Sequence, residues 1–232
     1  GRNTLIGEVF EPVAPNGLYR TPQVSGLAQL RIRAGGNAAD SASGAGARRV
    51  ELWGLDAEGN EVIAVLDTAG ASASAATDVS FLRLFQARVV LSGTYATQDA
   101  GSHSGDILIE DTAGALWTTI PLNGFPESTT RIGAFTIPRN YEAYLIGFRI
   151  NTTAQKLVDA VVFNRPGVLE TASPYSAMVA ETELFNVEGF YDLSYDAPTY
   201  IPPLSDVGVM AKVDVQEARV NSELGLLMRR IR

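Results

Sequence analysis

The acidic residues between positions 181 and 196 are the side chains of this sequence best suited to general acid–base chemistry. Two carboxyl groups that flank a glycosidic bond can hydrolyse it, one as the acid and the other as base or nucleophile. Asp192 and Asp196 follow three glutamates, at Glu181, Glu183 and Glu188. Their spacing matches no strong catalytic motif. We interpret them as solvated strand faces, and a hydrolase that uses Asp192 or Glu188 is the least favoured alternative.

Residues 67–71 (DTAGA) recur as residues 111–115. An aspartic protease uses two Asp-Thr-Gly carboxylates that share one proton, but Ala69 and Ala113 interrupt the triplet here. Residues 65–70 (VLDTAG) also resemble the switch element of small GTPases, which requires an upstream phosphate-binding loop with a lysine. No such loop precedes them. We interpret the repeat as a recurring strand-end turn, and a duplicated sheet unit is the alternative.

The chain contains one histidine and no cysteine. Residues 101–105 (GSHSG) place His103 where a nucleophile elbow carries its serine, and no second histidine could act as the base. We therefore predict a solvated loop at His103. Without cysteine, disulfides, thiolate metal ligands and a cysteine nucleophile are excluded. The oxygens of residues 56–60 fit a calcium loop poorly, so we predict no metal and no cofactor.

The composition predicts a globular protein. The chain has 232 residues, of which 46% are hydrophobic, and a net charge of −8. This acidic balance disfavours nucleic acid and anionic membrane surfaces as partners, and no apolar run is long enough to span a bilayer. The chain begins at Gly1 rather than Met, from which we expect that an N-terminal residue or segment has been removed.

Residues 44–76 predict a β-hairpin. Val50 and Leu52 alternate with polar or aromatic residues, a turn follows at residues 56–60, and Val62, Ala64 and Leu66 repeat the pattern. Further strands are predicted at residues 29–33, 81–91, 106–110, 116–120, 131–137, 141–150, 158–164, 183–191, 207–215 and 223–230. So many short strands with turns between them indicate an antiparallel β-sandwich of jelly-roll type.

The remaining segments complete the predicted organisation. Residues 1–28 form an extended arm with a short strand at residues 5–10, and residues 29–232 form one sandwich domain. Residues 34–47, rich in Ala, Gly and Ser, form a flexible loop. At most one short helix is expected, at residues 173–182, where Ser173 would cap it and Pro174 fits its first turn. Three prolines keep residues 197–204 extended. Two small sandwiches remain an alternative to one jelly roll.

Aromatic side chains are the candidate contacts to a glycan or a protein partner. Tyrosines alternate with acids in a loop at residues 191–200, and tyrosine and tryptophan are common in binding surfaces. The candidate contacts are Tyr191, Tyr195, Tyr200, Trp53 and Trp117.

Six segments of the sequence carry a family resemblance. The three longer ones are residues 44–62 (GAGARRVELWGLDAEGNEV), 68–76 (TAGASASAA) and 81–89 (FLRLFQARV). The shorter segments are residues 105–110 (GDILIE), 136–138 (TIP) and 209–212 (VMAK). Together they resemble virion structural proteins of tailed bacteriophages, especially marine ones, over about residues 30–215. The resemblance lies in short sequence segments predicted to form strands and turns. It implies a β-sandwich protein on the phage particle, and it assigns no catalytic residues.

We therefore predict a non-enzymatic structural protein of the virion, as a capsid decoration, shell or head-associated component. Its expected partners are further copies of itself, as trimers, and other virion proteins, contacted through sheet edges and loops. The arm would anchor the chain through Phe10, Tyr19 and Arg20. The alternative is a tail or neck adaptor, or a module that binds a receptor or a glycan of the host surface.

Overall fold

The computed structural model describes residues 1–17, 19, 26–33, 35–95, 101–122, 128–153, 156–170, 172–214 and 217–231. Within these residues the secondary structure is almost entirely β, and its helical part is the short 3-10 turn Pro15–Gly17. All strand pairings described below are antiparallel. The predicted all-β antiparallel fold is confirmed.

Many of the strands follow the predicted runs, whereas residues 190–201, predicted mostly as a loop, also form a strand. In chain order the strands are β1 (Arg2–Ile6), β2 (Glu11–Pro12), β3 (Ala28–Ile32), β4 (Ala47–Leu55), β5 (Glu61–Asp67), β6 (Ser80–Phe81), β7 (Arg83–Ser92), β8 (Ile107–Asp111), β9 (Leu116–Ile120), β10 (Ala134–Thr136), β11 (Tyr141–Thr152), β12 (Val158–Arg165), β13 (Val179–Val187), β14 (Phe190–Ile201), β15 (Asp206–Val213) and β16 (Ala218–Arg230).

The chain divides into two compact units. Unit 1 comprises residues 1–24, 58–60 and 132–232, and unit 2 comprises residues 25–57 and 61–131. Each unit has a hydrophobic core of its own. The sequence predicted one sandwich after residue 28, whereas unit 2 is inserted in the chain between β2 and β10 of unit 1. An insertion of this kind needs no long linker, so composition alone does not reveal it.

Unit 1 contains two sheets with the strand order of a jelly roll. Sheet 1 has the order β1-β16-β11-β14, and sheet 2 has the order β10-β15-β12-β13, with β2 also paired to β15. If β1 and β10–β16 are numbered one to eight along the chain, the sheets read 1-8-3-6 and 2-7-4-5. This is the arrangement of eight strands in a double-sheet jelly roll.

The jelly-roll core forms because apolar residues alternate along the strands of both sheets. Leu145, Phe148 and Ile150 of β11 point inward from sheet 1 and are almost fully buried. Val158, Ala160 and Val162 of β12 are buried in the same cluster from sheet 2. Successive side chains of a strand point to opposite faces of the sheet. The residues of β11 and β14 that alternate with the buried ones therefore form the outer face of sheet 1.

Unit 2 is built from two smaller sheets. Sheet 3 has the order β6-β3-β8-β9, and sheet 4 has the order β5-β4-β7. The predicted hairpin at residues 44–76 is confirmed as β4 and β5, with Val50 and Leu52 fully buried. Gly59 in its turn has a φ of 80°, a left-handed conformation that glycine adopts without a steric penalty.

The predicted flexible loop at residues 34–47 is organised around Asp40, whose carboxylate is 3% exposed. Its Oδ1 accepts hydrogen bonds from the backbone nitrogens of Ala47 at 2.7 Å and Ser104 at 2.8 Å. Its Oδ2 accepts one from the nitrogen of Gly105 at 2.9 Å. One buried carboxylate therefore joins two loops of unit 2, which composition could not indicate.

The expectation of at most one short helix is confirmed, and the candidate segment at residues 173–182 is not helical in the described residues. Residues 172–178 are non-helical, and β13 begins at Val179. Ala180 and Thr182 pair with Phe163 and Val162 of β12. The gain from this strand pairing overrides a local helix propensity that amounts to only a few tenths of a kcal/mol per residue.

Candidate binding surface

The outer face of sheet 1 carries a group of aromatic and charged side chains that the strand register places together. Tyr200 of β14 lies opposite Tyr144 of β11, which lies opposite Leu227 of β16. Opposite residues of antiparallel strands share one face of a sheet. These three side chains therefore form one row across three strands.

The two tyrosines of this row are in contact. Their ring centroids are 5.7 Å apart, and the ring planes are tilted by 59°. The guanidinium of Arg229 lies 5.9 Å from the centroid of the Tyr144 ring, within the range of a cation–π contact. Tyr200 is 50% exposed and Leu227 is 59% exposed. Together with Glu142, these residues form the outer-face cluster.

Glu142 fixes the position of Arg229 in the outer-face cluster. Glu142 is 9% exposed, and its carboxylate forms a salt bridge with the Arg229 guanidinium. The Tyr144 hydroxyl donates to the same carboxylate at 3.4 Å. The hydrogen bond that Arg229 donates to Glu142 raises the pKa of Arg229 above its usual value. The cluster therefore holds an arginine–glutamate ion pair beside the half-buried ring of Tyr144.

A second row of charges crosses the same face. Arg149 of β11 forms salt bridges with Asp192 of β14 at 3.0 Å and with Glu223 of β16 at 3.7 Å. All three side chains are at least 40% exposed, so these pairs contribute little to stability. Asp192 is therefore engaged on a solvated strand face, and Glu188 lies exposed in the turn between β13 and β14.

The tyrosine-rich segment is a strand rather than the predicted loop. Residues 190–201 form β14 because they pair with β11 through two ladder segments separated by a bulge. Tyr200 lies in the outer-face cluster, whereas Tyr191 lies opposite Ile150, on the other face of the sheet, and is 39% exposed there. Tyr195 is half-buried, and its hydroxyl forms a hydrogen bond with the Thr182 hydroxyl of β13.

The two tryptophans occupy unit 2, and Trp117 cannot contact a ligand from outside. Trp117 is 2% exposed and belongs to the hydrophobic core of that unit, so its candidacy as a surface contact is wrong. The sequence of its strand, β9, does not indicate which face of the strand is buried. Trp53 is half-buried on β4 and makes an edge-to-face contact with Phe85, with centroids 5.3 Å apart.

The described part of the predicted arm is bound to its own chain. β1 pairs with β16, and β2 pairs with β15. The Tyr19 hydroxyl donates to the buried Asp206 carboxylate at 3.0 Å. Phe10 is 40% exposed, with the Lys212 ammonium 5.4 Å from its ring centroid. Arg20 lies outside the described residues.

The predicted solvated histidine is buried, so that prediction is wrong. His103 and Ser102 are each 5% exposed. The Nε2 atom of His103 lies 3.3 Å from the carbonyl oxygen of Pro121, and Nδ1 lies 2.9 Å from the Ser102 hydroxyl. A carbonyl can only accept, so the Nε2 contact requires a proton on Nε2. The ring thus links two loop segments.

The two Asp-Thr-Ala-Gly copies are strand-end turns, as predicted, but their aspartates have different roles. Asp111 accepts hydrogen bonds from the backbone nitrogens of Ala113 and Ala115 and so closes its own turn. Asp67 forms an exposed salt bridge with Arg49 at 2.8 Å. Gly70 and Gly114 both have positive φ angles, which explains why glycine recurs. Across the described ranges, no group of three acidic, histidine or cysteine side chains is arranged to hold a metal.

Sequence reasoning missed Glu142, Tyr144 and Arg229. Residues 141–150 were predicted as a continuously buried strand, because most of their side chains are apolar. The alternation of Glu142, Tyr144 and Arg149 with Ala143 and Leu145 was the available signal, but a bulge at Ile146 interrupts its period. Arg229 becomes part of the cluster only through the register of β16.

The comparisons with known proteins identify no family. No family model matches the chain, and no curated protein matches it. Among the described residues, no helix is long and apolar enough to cross a membrane.

Proposed function

We propose that this chain is a non-enzymatic structural protein of a tailed-phage virion, which assembles as symmetric copies on the particle. The jelly roll of unit 1 carries the proposal, because this architecture is widespread among capsid proteins as well as lectins. The resemblance of short sequence segments to phage virion proteins supports the same role. Its location as a capsid decoration, shell or head-associated component, its trimeric state and its virion partners belong to this proposal.

Exposed strand edges support a role in assembly. β13 and β14 are the outermost strands of sheets 2 and 1 on one side of the jelly roll, and both are long. Phe185 and Phe190, which lie on these strands, are 65% and 66% exposed. An edge strand presents unpaired backbone groups that a neighbouring molecule can cover. Repetition on a particle would provide such neighbours.

Cryo-electron microscopy of purified phage particles, with mass spectrometry of their proteins, tests this proposal. We expect the chain in many symmetric copies, with both units fitting the density. Copies on the capsid lattice would support the decoration or shell role, and few copies at the neck or tail would support the adaptor alternative. Absence of the chain from purified particles would contradict the proposal.

Glycan binding by the outer-face cluster is the second candidate function. An exposed tyrosine ring offers a sugar a surface for stacking, and adjacent charged groups offer hydrogen bonds to its hydroxyls. Tyr200 supplies the exposed ring, while Arg229 and Glu142 lie beside its neighbour Tyr144. Of the tyrosines predicted as contacts at residues 191–200, this arrangement favours Tyr200 as the contact of a receptor- or glycan-binding module.

A glycan array followed by titration of the strongest sugar tests the second candidate. We expect Tyr200→Ala to weaken binding by about tenfold, which corresponds to about 1.4 kcal/mol, because the stacking ring is lost. Tyr191→Ala is the matched control on the same strand and should leave affinity unchanged, because Tyr191 lies on the other face of the sheet. An array without hits, or equal losses in both variants, would count against glycan binding at this cluster.

A further inference from the structure

Two rows of side chains cross the outer face of sheet 1, and one ligand can contact both. In the outer-face cluster, Tyr144 of β11 lies opposite Tyr200 of β14. Further along the same strands, Arg149 lies opposite Asp192 of β14 and Glu223 of β16. We call these last three residues the charged row. Both rows lie on the face of the sheet that points away from its core.

The distance between the two rows follows from the geometry of β11. Tyr144 and Arg149 are five residues apart, and one of the residues between them is the bulge residue Ile146. About four regular steps of about 3.4 Å therefore place the two rows about 14 Å apart along the strand. A single pyranose ring cannot span this distance, whereas a chain of about three linked rings can reach both rows.

Short side chains occupy the ladder positions between the two rows. Gly147 of β11 lies opposite Ser194 of β14 and Gly225 of β16. Ile146, which is 43% exposed, adds an apolar surface at the bulge. A flat ligand that contacts the aromatic ring of Tyr200 can therefore continue along the sheet to the charged row, and the apolar face of a sugar can rest on Ile146 on the way.

The two acidic neighbours of Arg149 orient its guanidinium for hydrogen bonding to a ligand. The Nε atom of Arg149 lies 3.0 Å from the Asp192 carboxylate, and its Nη1 atom lies 3.7 Å from that of Glu223. Neither of these contacts uses Nη2, and an arginine side chain carries five N–H donors. Sugar hydroxyls accept hydrogen bonds from such donors and donate to carboxylates. Groups that are already oriented lose less entropy when a ligand binds.

The positive charges of both rows are compensated within the face. Arg229 pairs with Glu142, and Arg149 pairs with Asp192 and Glu223. The chain as a whole carries a net charge of −8. A glycan with carboxylate or sulfate groups would meet no uncompensated cation among these residues, and the net charge of the chain would repel it. An uncharged glycan avoids both penalties.

We propose that the two rows form one binding site for an unbranched, uncharged oligosaccharide of about three sugar units, which lies along β11 and β14. One sugar stacks on Tyr200, and another forms hydrogen bonds with Arg149 and Asp192. The proposal rests on the second candidate function, because it extends glycan binding from the outer-face cluster to the charged row. It adds the chemical class of the glycan, its minimum length and its direction on the sheet.

Titration of the purified full chain with glycans of increasing length tests the proposal. The probes are unbranched oligomers of glucose, mannose and N-acetylglucosamine, from monosaccharides to pentasaccharides, with sialylated and sulfated trisaccharides for comparison. We expect the affinity to rise at least about tenfold from monosaccharide to trisaccharide, because contact with one row raises the effective concentration of the ligand at the other. Longer oligomers should bind little more tightly, and the charged trisaccharides should bind no more tightly than the uncharged ones.

Arg149→Ala separates the contribution of the charged row from that of the outer-face cluster. It should weaken trisaccharide binding by about tenfold and leave monosaccharide binding unchanged, because a single sugar contacts Tyr200 without reaching Arg149. Arg88→Ala is the matched control and should change neither affinity. The Arg88 side chain is 52% exposed and pairs at 2.8 Å with Glu51 on the neighbouring strand of sheet 4. Both arginines are exposed, so both variants should fold.

A further variant tests whether the ligand crosses the middle of the face. Ser194→Leu places a branched side chain between the two rows and should also weaken trisaccharide binding by about tenfold. Ser194 is exposed, so the midpoint of urea-induced unfolding should not change. Gly147 is unsuited to this test, since a Cβ atom there would lie 2.9 Å from the carbonyl oxygen of Leu193.

The outcomes for the two-row site and for the proposed functions are separable. Glycan binding that Tyr200→Ala weakens, but that neither increases with length nor responds to Arg149→Ala, would overturn the two-row site and support the outer-face cluster alone. Tighter binding of the charged trisaccharides would overturn the assigned class of glycan. If no probe binds, both the site and the second candidate function are overturned. The presence or absence of the chain in purified particles decides the virion role separately.

Discussion

Asp206→Ala should lower the free energy of unfolding of unit 1 by about 3–5 kcal/mol, the cost of breaking a buried ion pair by removing one partner. Asp206 is fully buried and forms a salt bridge with Arg165, which is itself 5% exposed. Its Oδ1 also accepts hydrogen bonds from the hydroxyls of Thr136 at 2.6 Å and Tyr19 at 3.0 Å. Truncation removes the acceptor for all three donors at once.

The measurement is urea-induced unfolding, with hydrogen exchange to localise the loss, because a chain of two compact units need not unfold in one step. Exchange should increase in β10, β12 and β15, which carry the donors and the carboxylate. Asp192→Ala is the matched control, since it removes an exposed aspartate–arginine pair from the same unit and should cost less than about 1 kcal/mol. Equal effects of the two substitutions would contradict the role assigned to burial.

Asp40→Ala should lower the stability of unit 2 by about 3 kcal/mol, since an unsatisfied buried donor costs about 1–3 kcal/mol and three donors lose their acceptor. The donors are the backbone nitrogens of Ala47, Ser104 and Gly105. These three amides should exchange with solvent much faster in the variant. Partial access of water to the two loops keeps the total below the sum of three full penalties.

Two further variants separate the effect of hydrogen bonding from that of charge at Asp40. Asp40→Asn retains one carbonyl oxygen as an acceptor and should cost less than Asp40→Ala. Asp67→Ala removes an exposed aspartate of the same unit, which pairs with Arg49, and should cost less than about 1 kcal/mol. Unchanged exchange at Ala47, Ser104 and Gly105 in Asp40→Ala would show that the carboxylate does not hold the two loops together.

The sequence alone predicted the strands well, because period-two alternation is a local property. The hairpin of β4 and β5 and the runs that became β3, β7, β8, β9, β11, β12, β15 and β16 follow directly from it. The Asp-Thr-Ala-Gly turns were also readable, since a glycine after a strand marks a positive φ angle. The all-β antiparallel class follows from these elements without knowledge of any contact.

Prediction from the alternation of side chains failed where pairing with strands distant in sequence decided the secondary structure. Residues 190–201 became a strand, and residues 179–182 did not become helical, because ladders with β11 and β12 were available to them. The burial of Trp117, His103 and Asp40 depends on which loops and sheets cover them. Contacts between residues far apart in the sequence, such as Asp40 with Ser104 and His103 with Pro121, contribute to this burial, and no local pattern predicts them.

The amino-acid sequence by itself determined the elements of this protein, namely strand positions, turn glycines, the lack of thiol chemistry and an acidic exterior. The tertiary structure decided which strands are neighbours, and hence the jelly-roll order, the insertion of unit 2 and the outer-face cluster. The physical reason is that alternation specifies which side chains share a face, whereas the choice of partner strand depends on backbone hydrogen bonds and core packing between residues far apart in the chain.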